Sequence, residues 1–357
     1  MYKKFFMGIA AIAALTLVSC SSDDLNSLSD NSSKNEAISF DGYLGRSAVS
    51  VNGTRGSVLA IDDLKTKGFG VFSTYTGDDQ SSFPNFDNQK VTCQGTKWTY
   101  SPLRFWPTQG EINFFAYAPY KDQKLNENAT TFEFTVAETI ANQQDLLWAN
   151  AVGKTKENIS NTGNKVKFQF AHALSRLGYT VKLYQDDPSN ATFKLKKITL
   201  AGSADGTAGT FYTKGTIDLS KTSTEDPWTS KGAKDNTKYT FDWDYSAKPL
   251  ELSKTVTKIT NTSTEYLFVI PQNFPSTTEG NADKLYVIVE YNIYYKDIDK
   301  TIPNKVYKQL TQDFKQGKAY MLNLTIGLPI EFDAAVTDWK TTTDDNKKND
   351  INIDSWE

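Results

Sequence analysis

Cys20 carries the most specific chemistry in this chain. It closes the tetrapeptide Leu17-Val18-Ser19-Cys20, which follows a basic start at Lys3 and Lys4 and an apolar run over residues 5–18. That run is too short to span a bilayer comfortably and has the form of a signal peptide. A thiol at its end can take a diacylglycerol through a thioether, and cleavage before it leaves the acylated cysteine as the new N-terminus. The pattern predicts a lipoprotein signal peptide over residues 1–19, lipidation at Cys20, and a flexible Ser/Asn-rich tether over residues 20–37.

Other reactive groups are sparse. Cys93 is the only other cysteine, so acylation of Cys20 leaves no intramolecular disulfide. His172 is the only histidine and continues the apolar row Val166, Phe168, Phe170; it reads as a core or hinge residue, and a single histidine leaves neither a His-based triad nor a multi-histidine metal site. No G-x-S-x-G elbow, P-loop, H-E-x-x-H or EF-hand loop is present. The acid pairs Asp62-Asp63, Asp78-Asp79, Asp186-Asp187 and Asp344-Asp345 stand in turn-like contexts and read as solvated loop acids rather than calcium ligands. A two-carboxylate glycosidase would need acids that meet in space, and no pair in the sequence points to one. The expectation is a protein that is not an enzyme and holds no metal or cofactor. A formal charge of −3 without any basic run argues against nucleic acid as a partner.

The elements that frame these residues are strands. Leu285, Val287, Val289, Tyr291, Ile293 and Tyr295 alternate along one row, Tyr320, Leu322, Leu324, Ile326 and Leu328 along another, and Val166, Phe168 and Phe170 along a third. Such period-two rows predict half-buried antiparallel strands. Further strands are expected over residues 38–44, 69–75, 112–118, 179–183, 193–200, 266–270 and 330–336, with single helical turns over 136–144 and 173–177. Many short strands imply β-sandwiches, and 357 residues suffice for two domains of ~150 residues each. The division is expected at residues 173–177, giving sandwiches over 38–174 and 175–357, the second ending in a polar tail. The abundant Tyr and Phe, with Trp98, Trp106 and Trp148, read chiefly as core filling.

Several segments in order resemble the fimbrillin family of the Bacteroidales, the Mfa-like pilins and pilus-associated lipoproteins of the type V pilus. They are Gly68-Phe69-Gly70-Val71-Phe72, Phe105-Trp106-Pro107 leading to Ile112-Asn113-Phe114-Phe115-Ala116-Tyr117-Ala118-Pro119, Gln144-Asp145-Leu146-Leu147-Trp148-Ala149, the stretch from Val166 to Leu177, Phe268-Val269-Ile270-Pro271-Gln272, Gly317-Lys318-Ala319-Tyr320 and Val336-Thr337-Asp338-Trp339. The resemblance implies two tandem transthyretin-like antiparallel β-sandwich domains, export as a lipoprotein to the outer membrane surface, and assembly into an adhesive fimbria whose target is a host protein or glycan. It also implies a trypsin-like protease that cuts after a basic residue in the loop following the first strand, here Arg46 or Arg55. The freed strand is then replaced by one from another pilus subunit.

The residues make such an exchange physically sensible. Ile38, Phe40 and Leu44 share one face of the first strand with Gly42 between them, and burying the three contributes roughly 5–9 kcal/mol, comparable to the ~5–15 kcal/mol of a whole domain. A vacated groove would expose unpaired backbone that a strand from a neighbour satisfies. The terminal row Ile351, Ile353, with Trp356 on the other face, is a poor donor, which favours a tip or accessory subunit over a stalk one. The alternative reading is a surface glycan-binding lipoprotein that does not polymerise.

Overall fold

The computed structural model describes residues 36–44, 61–77, 83–184, 190–232, 238–260, 265–275, 283–327, 331–338 and 350–353, the last two stretches by backbone alone. The first half supplies β1 (Phe40–Leu44), α1 (Ile61–Lys67), β2 (Phe69–Thr76), β3 (Gln89–Gln94), β4 (Lys97–Thr99), β5 (Glu111–Ala118), β6 (Thr131–Thr135), β7 (Leu147–Lys154) and β8 (Val166–His172). All of these strands except β6 form one sheet in the order β1-β8-β7-β5-β2-β3-β4. The sheet curls until its two end strands approach each other across a seam, with the Trp98 indole of β4 3.6 Å from where a Cβ on Gly42 of β1 would stand. Inside the curl lies a core of Ile38, Phe40, Phe69, Phe86, Phe114, Phe168 and their neighbours.

The central strands of this sheet are covered on both faces. Phe72, Phe115, Tyr117 and Trp148 point away from the first core into a second cluster. That is why the segments around them read as continuous apolar runs rather than as alternation.

The second half contributes β9 (Ser175–Leu183), β10 (Ala191–Ala201), β11 (Lys214–Asp218), β12 (Trp228–Lys231), β13 (Phe241–Asp244), β14 (Lys258–Ile259), β15 (Leu267–Val269), β16 (Leu285–Tyr295), β17 (Lys300–Leu310), β18 (Lys318–Ile326), β19 (Glu331–Asp338) and β20 (Asp350–Ile353). Two sheets, β13-β10-β16-β17 and β14-β9-β18-β19-β20 with β15 also on β9, enclose a third core that includes Leu177, Tyr179, Leu195, Ile198, Val289 and Leu322. The alternating rows of β16 and β18 face this core, as half-buried strands should.

The halves are sewn together by a further sheet, β12-β11-β6, in which β6 of the first half pairs antiparallel with β11 of the second. Its Phe132, Phe134, Ile217 and Trp228 join Phe72 and Trp148 in the shared cluster. Polar contacts follow the same seam: the Trp228 indole donates to the Ala173 carbonyl at 2.7 Å, and Asn150 Nδ2 to the carbonyls of Leu219 and Lys221 at 2.9 and 2.7 Å.

The expectation of purely antiparallel sheets needs correction. β1 runs parallel to β8, and β9 runs parallel to β18. Alternation reports which face a residue shows and is silent on the direction of the neighbour, and both parallel partners are separated by long excursions of chain, which a parallel crossover requires. Local structure differs at two further places. The expected turn of helix over 173–177 is instead the entry to β9, whereas α1 was not anticipated. Asp62 and Asp63 occupy the first turn of α1 and Lys65 and Lys67 its last, a charge order that the helix dipole favours.

Candidate functional site

β1 closes the seam of the first sandwich. Ile38, Phe40 and Gly42 are buried, Tyr43 is exposed and Leu44 is half-buried, the alternation of a strand with one face inward. The Phe40 ring stands 5.4 Å from Phe86, 5.3 Å from Tyr100, 5.6 Å from Phe114 and 5.7 Å from Phe168. This is a cage of mostly tilted and edge-on rings, the arrangement aromatic pairs prefer. Ile38 is 1% and Phe40 2% exposed, so each contributes about 1.5–3 kcal/mol by burial. Leu44 contributes less than the sequence expectation of three equal anchors, because it is only partly covered.

Gly42 is needed for close approach. A Cβ there would stand 3.1 Å from Phe69 Cε1, 3.4 Å from Phe170 Cε2 and 3.6 Å from Trp98 Cζ2. Three rings therefore roof this position and leave room for backbone and little else.

The backbone of the segment is held on two flanks. Residues 40–44 pair in parallel with 166–170 of β8, and Val166 N–H donates to the Ser39 carbonyl at 2.8 Å. On the other flank Ala37 bridges Phe105, Ile38 N–H donates to the Arg104 carbonyl at 2.8 Å, and Trp106 N–H donates to the Glu36 carbonyl at 3.1 Å. The Tyr100 hydroxyl donates to the Ile38 carbonyl at 2.8 Å; burial pushes the Tyr100 phenol up from its ordinary value, which keeps it a donor at neutral pH. Among the described residues β7 pairs with β8 only at Leu147–His172 and Trp148–Ala171. The ladder along 166–170 thus depends on β1. Removing β1 would leave an aromatic-lined slot with open backbone on both walls.

The remaining sequence-predicted residues are scattered or lie elsewhere. Cys20, Arg46 and Arg55 lie outside the described residues, as do the acid pairs at 78–79, 186–187 and 344–345. Asp62 and Asp63 sit on α1 with Lys65 and Lys67 at 3.6 and 3.9 Å. His172 is buried between the two halves, its Nδ1 2.7 Å from Asp145 Oδ2. Nearby, the Arg176 guanidinium lies 4.4 Å from the Tyr266 ring centre, and burial lowers its pKa from the ordinary value. Among the described residues no group of three or more His, Cys, Asp and Glu gathers where a metal ion could be held.

Sequence reasoning missed the walls of the slot: Phe86, Tyr100 and the strip 104–106. The period-two spacing of Trp98 and Tyr100 marks an inward face, but no local signal says that β1 is what the face meets.

Comparison with known proteins converges on one family. The family model described as fimbrillin-like matches residues 58–339, a span that begins after β1. Fimbrium subunit Fim1C of Phocaeicola vulgatus is 28% identical over 97% of this chain and 98% of its own length. The crystal structure of a fimbrial protein from Bacteroides vulgatus superposes with a TM-score of 0.63 at 20% identity, covering 86% of this chain and 100% of that one. With an apolar slot closed by an edge strand and a family match over most of its length, the chain belongs to the fimbrillin-like family.

Proposed function

We propose that this protein is a pilus subunit that assembles by exchanging β1 for a strand of another subunit. It is exported as a lipoprotein through Cys20 and held on the outer membrane. A trypsin-like protease cuts it after Arg46 or Arg55, and it joins a surface fimbria that adheres to a host protein or glycan. The observation carrying the reading is the place of β1: an edge strand of five residues whose side chains complete one core and whose backbone closes two flanks. Arg46 follows two residues after its end, so a cut there leaves β1 held by side chains and hydrogen bonds alone. The division into sandwiches at 38–174 and 175–357 belongs to the same reading, supported by the passage from β8 in one sheet to β9 in another within two residues. A tip or accessory position follows if the last residues must act as donor, since Ile351 and Ile353 offer a short apolar row.

Mass spectrometry of surface-recovered protein tests the processing. A chain starting at Ser47 or Gly56 supports it, whereas acylated Cys20 on all molecules removes it. Cutting the purified ectodomain at either arginine with partner subunits present should yield oligomers; strictly monomeric product would end the exchange reading.

A further inference from the structure

We propose that a cavity beside the strip 104–106 is a subsite for a carboxylated pyranose of a glycan, held by the Arg104 guanidinium among aromatic rings and prolines. This rests on the adhesive reading of the protein and names the class of ligand which that reading leaves open. The cavity has a volume of about 510 Å³, within the ~300–1,000 Å³ range of small-molecule pockets. Its buried lining is braced. The Tyr75 hydroxyl donates to the Gln109 carbonyl at 2.8 Å, the Phe83 ring stands 5.5 Å from Tyr75, and Trp106, 3% exposed, packs edge-on 6.0 Å from Phe114. Its outer lining is open, with Leu103 51% and Phe105 46% exposed. An exposed ring face of this kind suits the C–H face of a sugar.

Arg104 supplies the charge. Its guanidinium carbon lies 5.0 Å from the Phe86 ring centre, and its Nη1 donates to the Pro84 carbonyl at 2.8 Å. Nε is buried without a hydrogen-bond partner among the described residues, and no carboxylate among them pairs with this side chain. Glu36, joined to the strip through its backbone, has its carboxylate on Lys156 at 3.5 Å. With Nη1 occupied, the edge formed by Nε and Nη2 remains, a fork that matches the two oxygens of a carboxylate. A buried donor left unpaired is unfavourable, and an anion seated here would relieve it. A peptide strand is the poorer fit. The backbone of the strip is already bonded to residues 36–38, and Pro84, Pro102 and Pro107 have no N–H to give, so the cavity offers no ladder for strand addition. Ring faces and one forked cation are the complement of a small ring that bears a carboxylate.

The test titrates the full, uncut chain with methyl glucuronide, methyl N-acetylneuraminide and neutral methyl glucoside, read by saturation-transfer NMR. One of the two acidic glycosides should bind at least about tenfold more tightly than the glucoside, and which one does so separates a uronate from a sialate source. Arg104→Gln should abolish that preference. Leu103→Glu, at an exposed position, should weaken the acidic glycoside about tenfold by like-charge repulsion while Leu103→Lys does not, a pair that decides the matter even if Arg104→Gln fails to fold. If neither acidic glycoside binds, or if binding ignores all three variants, the subsite falls. If an acidic peptide binds through Arg104 and the glycosides do not, the ligand class is overturned in favour of protein. Attachment of cells displaying the protein to host glycans and host proteins is scored alongside. Attachment that is unaffected by Arg104→Gln removes this site and leaves adhesion standing, whereas no attachment of the unaltered protein to any surface removes the adhesive reading itself.

Discussion

β1 and β9 hold the same place in their respective halves and are anchored very differently. Each is the strand that opens its half, and each runs parallel to a strand that comes near that half's end, β8 and β18. β9, however, has nine residues, eight ladder pairs to β18 on one side, and both β14 and β15 on the other. β1 has five residues and a single full ladder, with one short bridge opposite. Equivalent topology therefore yields one strand paired on both sides and one with a full ladder on one side only, and the difference is the number of neighbours, not the hydrophobicity of the side chains.

Hydrogen exchange should show the contrast most strongly. Amides of β9 should exchange only by global opening, while those of residues 40–44 exchange by local release at least about a hundredfold faster once the chain is cut after Arg46. Equal protection in the two strands would erase the comparison.

Phe40→Ala should cost about 3–5 kcal/mol, read by denaturant unfolding of the first half, and should speed exchange in residues 166–170. Leu177→Ala, in β9, should cost about 2–5 kcal/mol and leave the exchange rate of β1 unchanged.

Gly42→Ala should cost about 1 kcal/mol through crowding against Phe69. A neutral or stabilising result would mean that the roof of three rings gives way easily.

The smallest effect belongs to Tyr100→Phe, about 0.5–1.5 kcal/mol for the lost hydrogen bond to the Ile38 carbonyl. Because burial raises the folded-state pKa of Tyr100 above the ordinary 10.0, its contribution is complete below pH 10.0 and fades as pH climbs through the raised value. The alkaline loss of stability in the first half should be shallower in Tyr100→Phe.

Much of this architecture was legible in the residues, for identifiable reasons. The inward face Ile38, Phe40, Gly42, Leu44 follows from period two, and the long rows of β16 and β18 do as well, because a strand with one wet side must alternate. The doubly covered strands β2, β5 and β7 show as unbroken apolar runs such as Phe69-Gly70-Val71-Phe72. What stayed hidden is long-range: the parallel direction of β1 on β8, the weaving of β6 into the second half, and the contact of residues 36–38 with 104–106. Each is a pairing between segments far apart in sequence, decided by which open edge is nearest once the cores have collapsed. No local pattern encodes it. The half-burial of Leu44 is of the same kind, since the residue lies where the slot ends and only the neighbours' placement reveals that.

The short step from β8 to β9 has a mechanical meaning for a fibre under tension. If the proposed exchange holds, a pull on a strand seated along 166–170 as β1 is would load a parallel ladder in shear, so that its hydrogen bonds would yield together instead of opening one by one. Two residues later the same force passes into β9, which is gripped on both sides, and the sheet containing β6 shares the load between the halves. Under the proposed exchange, stress would run from the strand seated on β8 into β9, the more firmly held of the two.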